Sequence, residues 1–224
     1  RCRVPLDGLS PGVALLSIMD GGARSNTMNI TLRSPPEITL VEPSFSAIVG
    51  GAMISLHGIQ FVDTSISSSF LCHFGALNVV AGRYVNDTHV KCRVPAISHP
   101  QYVNLTLSFD GGSYFTNNVR LFRYVNVPSI NAILPTSGTA AGGTSVMVYG
   151  HDFVSLPDAQ YVCRFQSVLG TSAMITTSGS LVNASQVECT TPPSDLIGST
   201  WLEISMNNGE DWTNHQTIYH YKKP

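Results

Sequence analysis

Between residues 102 and 109 apolar and polar side chains alternate. Val103, Leu105, Leu107 and Phe109 fall on one parity, and Tyr102, Asn104, Thr106 and Ser108 on the other. A period of two sends each set to its own face of a β-strand, one face buried and one wet. Phe70, Cys72 and Phe74 share a parity in the same way, as do Val90, Cys92 and Val94. Gly, Pro and Asn-Asp turns punctuate these short runs. Asp20-Gly21-Gly22, Asp110-Gly111-Gly112 and Asn207-Asn208-Gly209 supply residues that tolerate positive φ, as tight hairpins require. No stretch carries a convincing helical period. The pattern predicts an all-β chain folded into sandwiches.

The pattern repeats. PSFSAIVGGAMISLHGIQF at 43–61 aligns without gaps with PTSGTAAGGTSVMVYGHDF at 135–153. The alignment pairs Pro43 with Pro135, Gly50-Gly51 with Gly142-Gly143, Gly58 with Gly150 and Phe61 with Phe153. Phe70-x-Cys72-x-Phe74 then matches Tyr161-x-Cys163-x-Phe165, and Val90-x-Cys92-x-Val94-Pro95 matches Val187-x-Cys189-x-Thr191-Pro192. Repeats of this length mark copies of one domain. Residues 36–127 and 128–224 are two copies. Residues 1–35 match only the rear half: RCRVP at 1–5 repeats as KCRVP at 91–95, and Asp-Gly-Gly follows each at the same spacing.

Gly-Gly-(Thr/Ala), an alternating strand, Gly-x-x-Phe, Cys-x-Phe, Val-x-Cys-x-x-Pro and a late Asn-Gly-x-x-Trp-Thr together resemble the IPT/TIG domain. This is the immunoglobulin-like module of plexins, hepatocyte-growth-factor-type receptors, fibrocystin-like ectodomains and Rel-type transcription factors. The resemblance implies tandem immunoglobulin-like β-sandwiches, two complete and one partial, arranged as a rod. The first full copy departs from it at Tyr114-Phe115-Thr116, where the second has Asp211-Trp212-Thr213. The partial copy has Ser17 where the others have Leu107 and Ile204.

Five cysteines are present. Repeat logic pairs Cys72 with Cys92 and Cys163 with Cys189, all on core-facing parities. Closing loops of this length stabilises a fold by roughly 3 kcal/mol. Cys2 stands where Cys92 and Cys189 stand, so its partner is expected about twenty residues upstream, outside this chain, by the spacing of the other pairs. The half-domain at 1–35 is expected to be completed by other IPT/TIG domains of the same array or by neighbouring chains. A lone pair of rear strands leaves an open edge and an open core face.

Paired cysteines point to an oxidising, extracellular or cell-surface setting. Four glycosylation sequons agree, at Asn29, Asn86, Asn104 and Asn183. Asn86 and Asn183 each lie six residues before a repeat cysteine, Asn104 is on the outward parity, and Asn29 opposes Ile30 and Leu32. Covalent glycans are expected and no other cofactor.

Charged residues are only 12% of the chain and the net charge is −2, with no Lys/Arg run. Nucleic acid is therefore excluded as an electrostatic partner. The longest apolar stretch, around 45–56, is too short to insert directly into a membrane as a helix.

Catalytic chemistry is not indicated. No Gly-x-Ser-x-Gly elbow occurs. Gly138 to Ser145 has the outline of a phosphate loop, but Thr144 replaces the lysine and a strand follows. The seven histidines lack ligand spacing, and Glu210-Asp211, Asp152 and Asp158 read as loop acids. The expectation is no catalytic and no metal site. Trp201 falls at the outward position equivalent to Asn104, a possible contact surface for a protein or glycan ligand. The expected function is a non-enzymatic extracellular structural or adhesive glycoprotein segment, a stalk or fibre. Two alternatives stay open: a ligand-binding segment of a plexin- or fibrocystin-like receptor, and an accessory module of a secreted carbohydrate-active enzyme.

Overall fold

The computed structural model describes residues 10–63, 70–76, 78–112, 114–168, 174–195, 197–214 and 217–223. Cys2 and His215 lie outside them. The described chain is all strand and turn, and its two repeats fold into two immunoglobulin-like β-sandwiches.

Four short strands precede the sandwiches: β1 (Gly12–Leu16), β2 (Met19–Asp20), β3 (Ala23–Arg24) and β4 (Met28–Leu32). The first sandwich contains β5 (Glu37–Glu42), β6 (Phe45–Ala47), β7 (Met53–Ile59), β8 (Leu71–Phe74), β9 (Asn78–Asn86), β10 (His89–Arg93), β11 (Tyr102–Ser108) and β12 (Arg120–Val125). The second contains β13 (Ser129–Leu134), β14 (Ser137–Thr139), β15 (Ser145–His151), β16 (Val162–Ser167), β17 (Met174–Asn183), β18 (Gln186–Thr190), β19 (Gly198–Ser205) and β20 (Thr217–Lys222). Each forms one eight-stranded ladder, in the orders β5-β7-β10-β9-β8-β11-β12-β6 and β13-β15-β18-β17-β16-β19-β20-β14.

The ladder becomes two layers because one long strand serves both. In β17, residues 174–178 pair with β16 and residues 179–183 with β18. β9 divides in the same way between β8 and β10. The crossing point is a glycine in each copy. A Cβ on Gly179 would sit 2.9 Å from Cys163 Sγ, and one on Gly82 would collide with the Phe70 ring. A strand glycine that admits a neighbour this closely has a packing reason.

Directly beneath, disulfides join Cys72 of β8 to Cys92 of β10 and Cys163 of β16 to Cys189 of β18. They tie together the two layers that the long strand bridges. Around them pack the alternating residues of the inner faces: Ile54, Leu56, Leu105, Leu107 and Phe122 in the first sandwich, Val146, Val148, Leu202, Ile204 and Tyr219 in the second, all fully buried. The Gly-Gly pair has a steric cause too. Gly50 and Gly142 have positive φ, and a Cβ there would approach the backbone after Pro95 or Pro192 to 2.5–2.6 Å.

β1 and β4 form a separate antiparallel hairpin, in which Val13 faces Thr31 and Leu15 faces Asn29. Ile18 N–H donates to the Ser25 hydroxyl and Ser25 N–H to the Ile18 carbonyl, as Leu107 and Thr116 bond in the first sandwich. Ile18, not Ser17, therefore matches Leu107, and Ala14 facing Ile30 matches Val103 facing Phe122. The hairpin's apolar residues are split between both faces, with Val13, Leu15 and Met28 all more than 60% exposed. No second layer covers this hairpin among the described residues.

Candidate interaction surfaces

The junction between the sandwiches is built from one aromatic and three acids. Phe45 belongs by sequence to the first sandwich, yet it is buried in the hydrophobic cluster of the second, with Val125, Met206, Phe153 and Ile204. Ser46 and Ala47 beside it are buried as well. In the second sandwich the equivalent strand, β14, reads Ser-Gly-Thr and is partly or fully exposed.

The acids come from two loops of the second sandwich. Asp158 Oδ2 accepts from the Ser44 backbone N–H at 2.6 Å, Asp211 Oδ2 from Ala47 at 2.9 Å, and Glu210 Oε2 from Met53 at 2.9 Å. The Ser44 and Ala47 donors lie on either side of Phe45 in part-buried positions, and Met53 opens β7. Charge-assisted bonds of this kind are shorter and stronger than neutral ones. Asn126 also donates from Nδ2 to Asp152 Oδ1 at 2.9 Å.

The loop carrying Glu210 and Asp211 is held from below. The buried Ser205 hydroxyl accepts from Gly209 N–H at 2.8 Å and donates to Asn207 Oδ1, and the Thr213 hydroxyl accepts from Ile204 N–H. Ser108 and Thr116 do the same work in the first sandwich. Trp212 then lies over the Arg164 guanidinium, 3.9 Å from ring centre to Cζ, while Arg164 binds Glu203 at 2.7–2.8 Å. His73 and Phe115 occupy the corresponding places in the first sandwich, with ring centres 4.7 Å apart.

Trp201 lies on the outer face of the same sheet, half-buried, directly opposite Gln166 on β16 and Ile218 on β20. Gln166 in turn faces Met174, so the four side chains form one row across four strands. In the first sandwich the Trp201 position is taken by the exposed Asn104, opposite the exposed Leu121.

Asn29, Asn86, Asn104 and Asn183 are all exposed. Asn86 and Asn183 close equivalent turns. Asn86 Oδ1 accepts from the Thr88 backbone N–H at 3.0 Å and from its hydroxyl at 2.9 Å, and Asn183 Oδ1 accepts from Ser185 N–H at 2.9 Å. The sequon hydroxyl residue is thereby folded back on its asparagine.

The stacked rings of His57 and His89 lie 4.7 Å apart on neighbouring strands. Burial, then the nearby His57 and Lys91, hold the His89 pKa below its ordinary value. Among the described residues no group of three or more His, Cys, Asp or Glu side chains could hold a metal ion. No helix of the described residues is long and apolar enough to cross a membrane.

A cavity of 540 Å³ opens beneath the hairpin side of the first sandwich. Arg33, Pro36, Val62, Leu107, Phe109 and Tyr114 are among its walls.

Sequence reasoning treated Asp158, Glu210 and Asp211 as ordinary loop acids and missed Phe45. A signal was present: aligning the repeats sets Phe45 against Ser137, an aromatic in one copy and a small polar residue in the other.

The IPT/TIG domain family matches residues 36–124 and 128–221. No curated protein matches the chain. Among solved structures, the full extracellular region of plexin A4, domains 1 to 10, is 15% identical over 95% of this chain and 19% of its own, with a TM-score of 0.58. A second plexin A4 extracellular structure, domains 1 to 8, is 15% identical over 83% of this chain and 18% of its own, with a TM-score of 0.46. The adhesin InvE of Yersinia pseudotuberculosis is 8% identical over 83% of this chain and 58% of its own, with a TM-score of 0.28. The chain thus spans under a fifth of the plexin ectodomain structures it matches.

Proposed function

This chain belongs to the IPT/TIG family, and on that footing we propose that it is a non-enzymatic extracellular structural or adhesive glycoprotein segment, a stiff stalk of tandem sandwiches. The observation that carries this reading is the junction. A linker that merely tethered two domains would not bury an aromatic of one in the core of the other or satisfy three backbone donors with carboxylates. A closed junction fixes the angle between neighbours, and repeated along an array it makes a rod. Two cross-layer disulfides and four exposed sequons suit an oxidising exterior and a sugar coat. Residues 10–32 are the rear strands of a further sandwich, completed by another IPT/TIG domain of the array or of a neighbouring chain. Its exposed apolar side chains support that assignment.

A receptor ectodomain is the second reading, and the Trp201 row favours it. The Asn104 sequon occupies the corresponding site of the first sandwich, whereas the second presents a half-buried aromatic to a protein or glycan ligand.

The test is intact mass spectrometry of the chain secreted from eukaryotic cells, before and after enzymatic removal of N-linked sugar. A mass drop traced to Asn86 and Asn183 is expected. Secreted protein with no sugar at any of the four asparagines would contradict the extracellular glycoprotein reading.

A further inference from the structure

The cavity below the hairpin and the Phe45 socket occupy corresponding places. Repeat alignment matches Arg33 with Val125, Val62 with Val154, Leu107 with Ile204, Phe109 with Met206 and Tyr114 with Asp211. Val125, Ile204 and Met206 are in the buried cluster that receives Phe45, and Val154 packs against it. In the first sandwich the matching residues line an open cavity of 540 Å³, whose exposed wall is mostly apolar.

The strand that delivers Phe45 supplies a second constraint. β6 runs parallel to β12, with Phe45 beside Arg123 and Ala47 beside Val125. By the same alignment Arg123 matches Thr31 of β4, and Val125 matches Arg33 at the cavity rim. β4 pairs only with β1, so its other edge carries no strand among the described residues. A strand added parallel to that edge, in the register of β6, would carry the side chain beside Thr31 to the cavity.

We propose that this cavity is a socket for an aromatic side chain, presented by a β6-type strand of another IPT/TIG sandwich that adds in parallel to the free edge of β4. The inference rests on reading residues 10–32 as the rear of a sandwich. Main-chain bonds to β4 give register, and the buried ring gives affinity. The socket differs from its counterpart in chemistry. Tyr114 stands where Asp211 captures a backbone N–H, so the incoming strand is held more by the ring and less by charge. The occupant is accordingly a short strand with one Phe or Tyr between small polar residues, as in Ser44-Phe45-Ser46.

The full chain is titrated with a synthetic peptide of residues 42–49 and followed by amide NMR. Expected are shifts at Val62, Leu107 and Tyr114 together with those of residues 28–32. A peptide with Ala in place of Phe45 is expected to bind about ten-fold or more weakly, from the apolar area lost. Val62→Arg, at a half-buried rim position, is expected to abolish binding while leaving the unfolding midpoint and the Cys72–Cys92 bond intact. Equal binding of the Phe and Ala peptides, or shifts confined to Met206 and Val154, would overturn the socket. Cavity shifts with β4 silent would overturn the strand addition, and with it the half-sandwich reading.

Discussion

The carboxylate of Asp211 accepts a hydrogen bond at 2.9 Å from the backbone N–H of Ala47, a residue of the other sandwich. Asp211 also accepts from Asn207 Nδ2 at 2.9 Å, and its own N–H donates to Asn207 Oδ1. The side chain that reaches across the junction is thus held by the hairpin that positions it. Asp211 and Phe45 are complementary: one satisfies a main-chain donor at the rim, and the other fills the centre.

Asp211→Ala leaves the Ala47 N–H without its acceptor. A bond to a charged group in a partly buried setting is worth about 1.5–3 kcal/mol. The expected result is faster hydrogen exchange at Ala47 and a lower urea midpoint for the junction, with both disulfides still formed. Peptide-resolved exchange mass spectrometry checks it.

Phe45→Ala removes a ring that is 1% exposed. Phe→Ala in a packed core costs about 3–5 kcal/mol. Although the change lies in the first sandwich, the loss is expected in the second, whose cluster holds the ring. Denaturant melts followed separately by Trp212 fluorescence and by first-sandwich amides should show the second unfolding earlier.

Cys163→Ala with Cys189→Ala opens a loop with a sequence separation of 26. The expected cost is roughly 3 kcal/mol. Thermal unfolding of this variant beside the corresponding Cys72 and Cys92 variant should show each loss confined to its own sandwich.

Alkaline pH should weaken both sandwiches. Burial raises the Tyr161 pKa to about 12, and burial raises those of Tyr221 in the same sandwich and of Tyr124 in the first. A folded state that holds its proton longer than the unfolded one loses stability as pH rises from the unfolded value near 10 toward the folded one. Below pH 10 this contribution is constant. Urea midpoints between pH 8 and 12 should fall above about 10, and Tyr161→Phe should flatten the fall.

Much of the fold was legible because alternation reports burial directly. Val103, Leu105 and Leu107 alternate with wetter neighbours in the structure as in the sequence. The repeated motifs have steric causes that act within one domain, such as the tight approach at Gly50 and Gly142. The layer-crossing Gly82 and Gly179 were less visible, since a glycine inside a strand reads first as a weak position. The junction was least legible. The partners of Asp158 and Asp211 lie 114 and 164 residues away, and no local pattern encodes such a contact. The hairpin at 12–32 is misread by one residue when aligned on Asp-Gly-Gly. Ala14 faces Ile30 as Val103 faces Phe122, but the turn between Ile18 and Ser25 is two residues shorter than that between Leu107 and Thr116, which sets Ser17 falsely against Leu107.

The central claim is that Phe45 and the three acids lock the two sandwiches into one rigid unit. Residual dipolar couplings of the intact chain test it most directly. The account predicts that amides of 36–127 and 128–223 fit one common alignment tensor, and that Phe45→Ala splits it into two. Two independent tensors for the unaltered chain would contradict the lock and the stalk built from it.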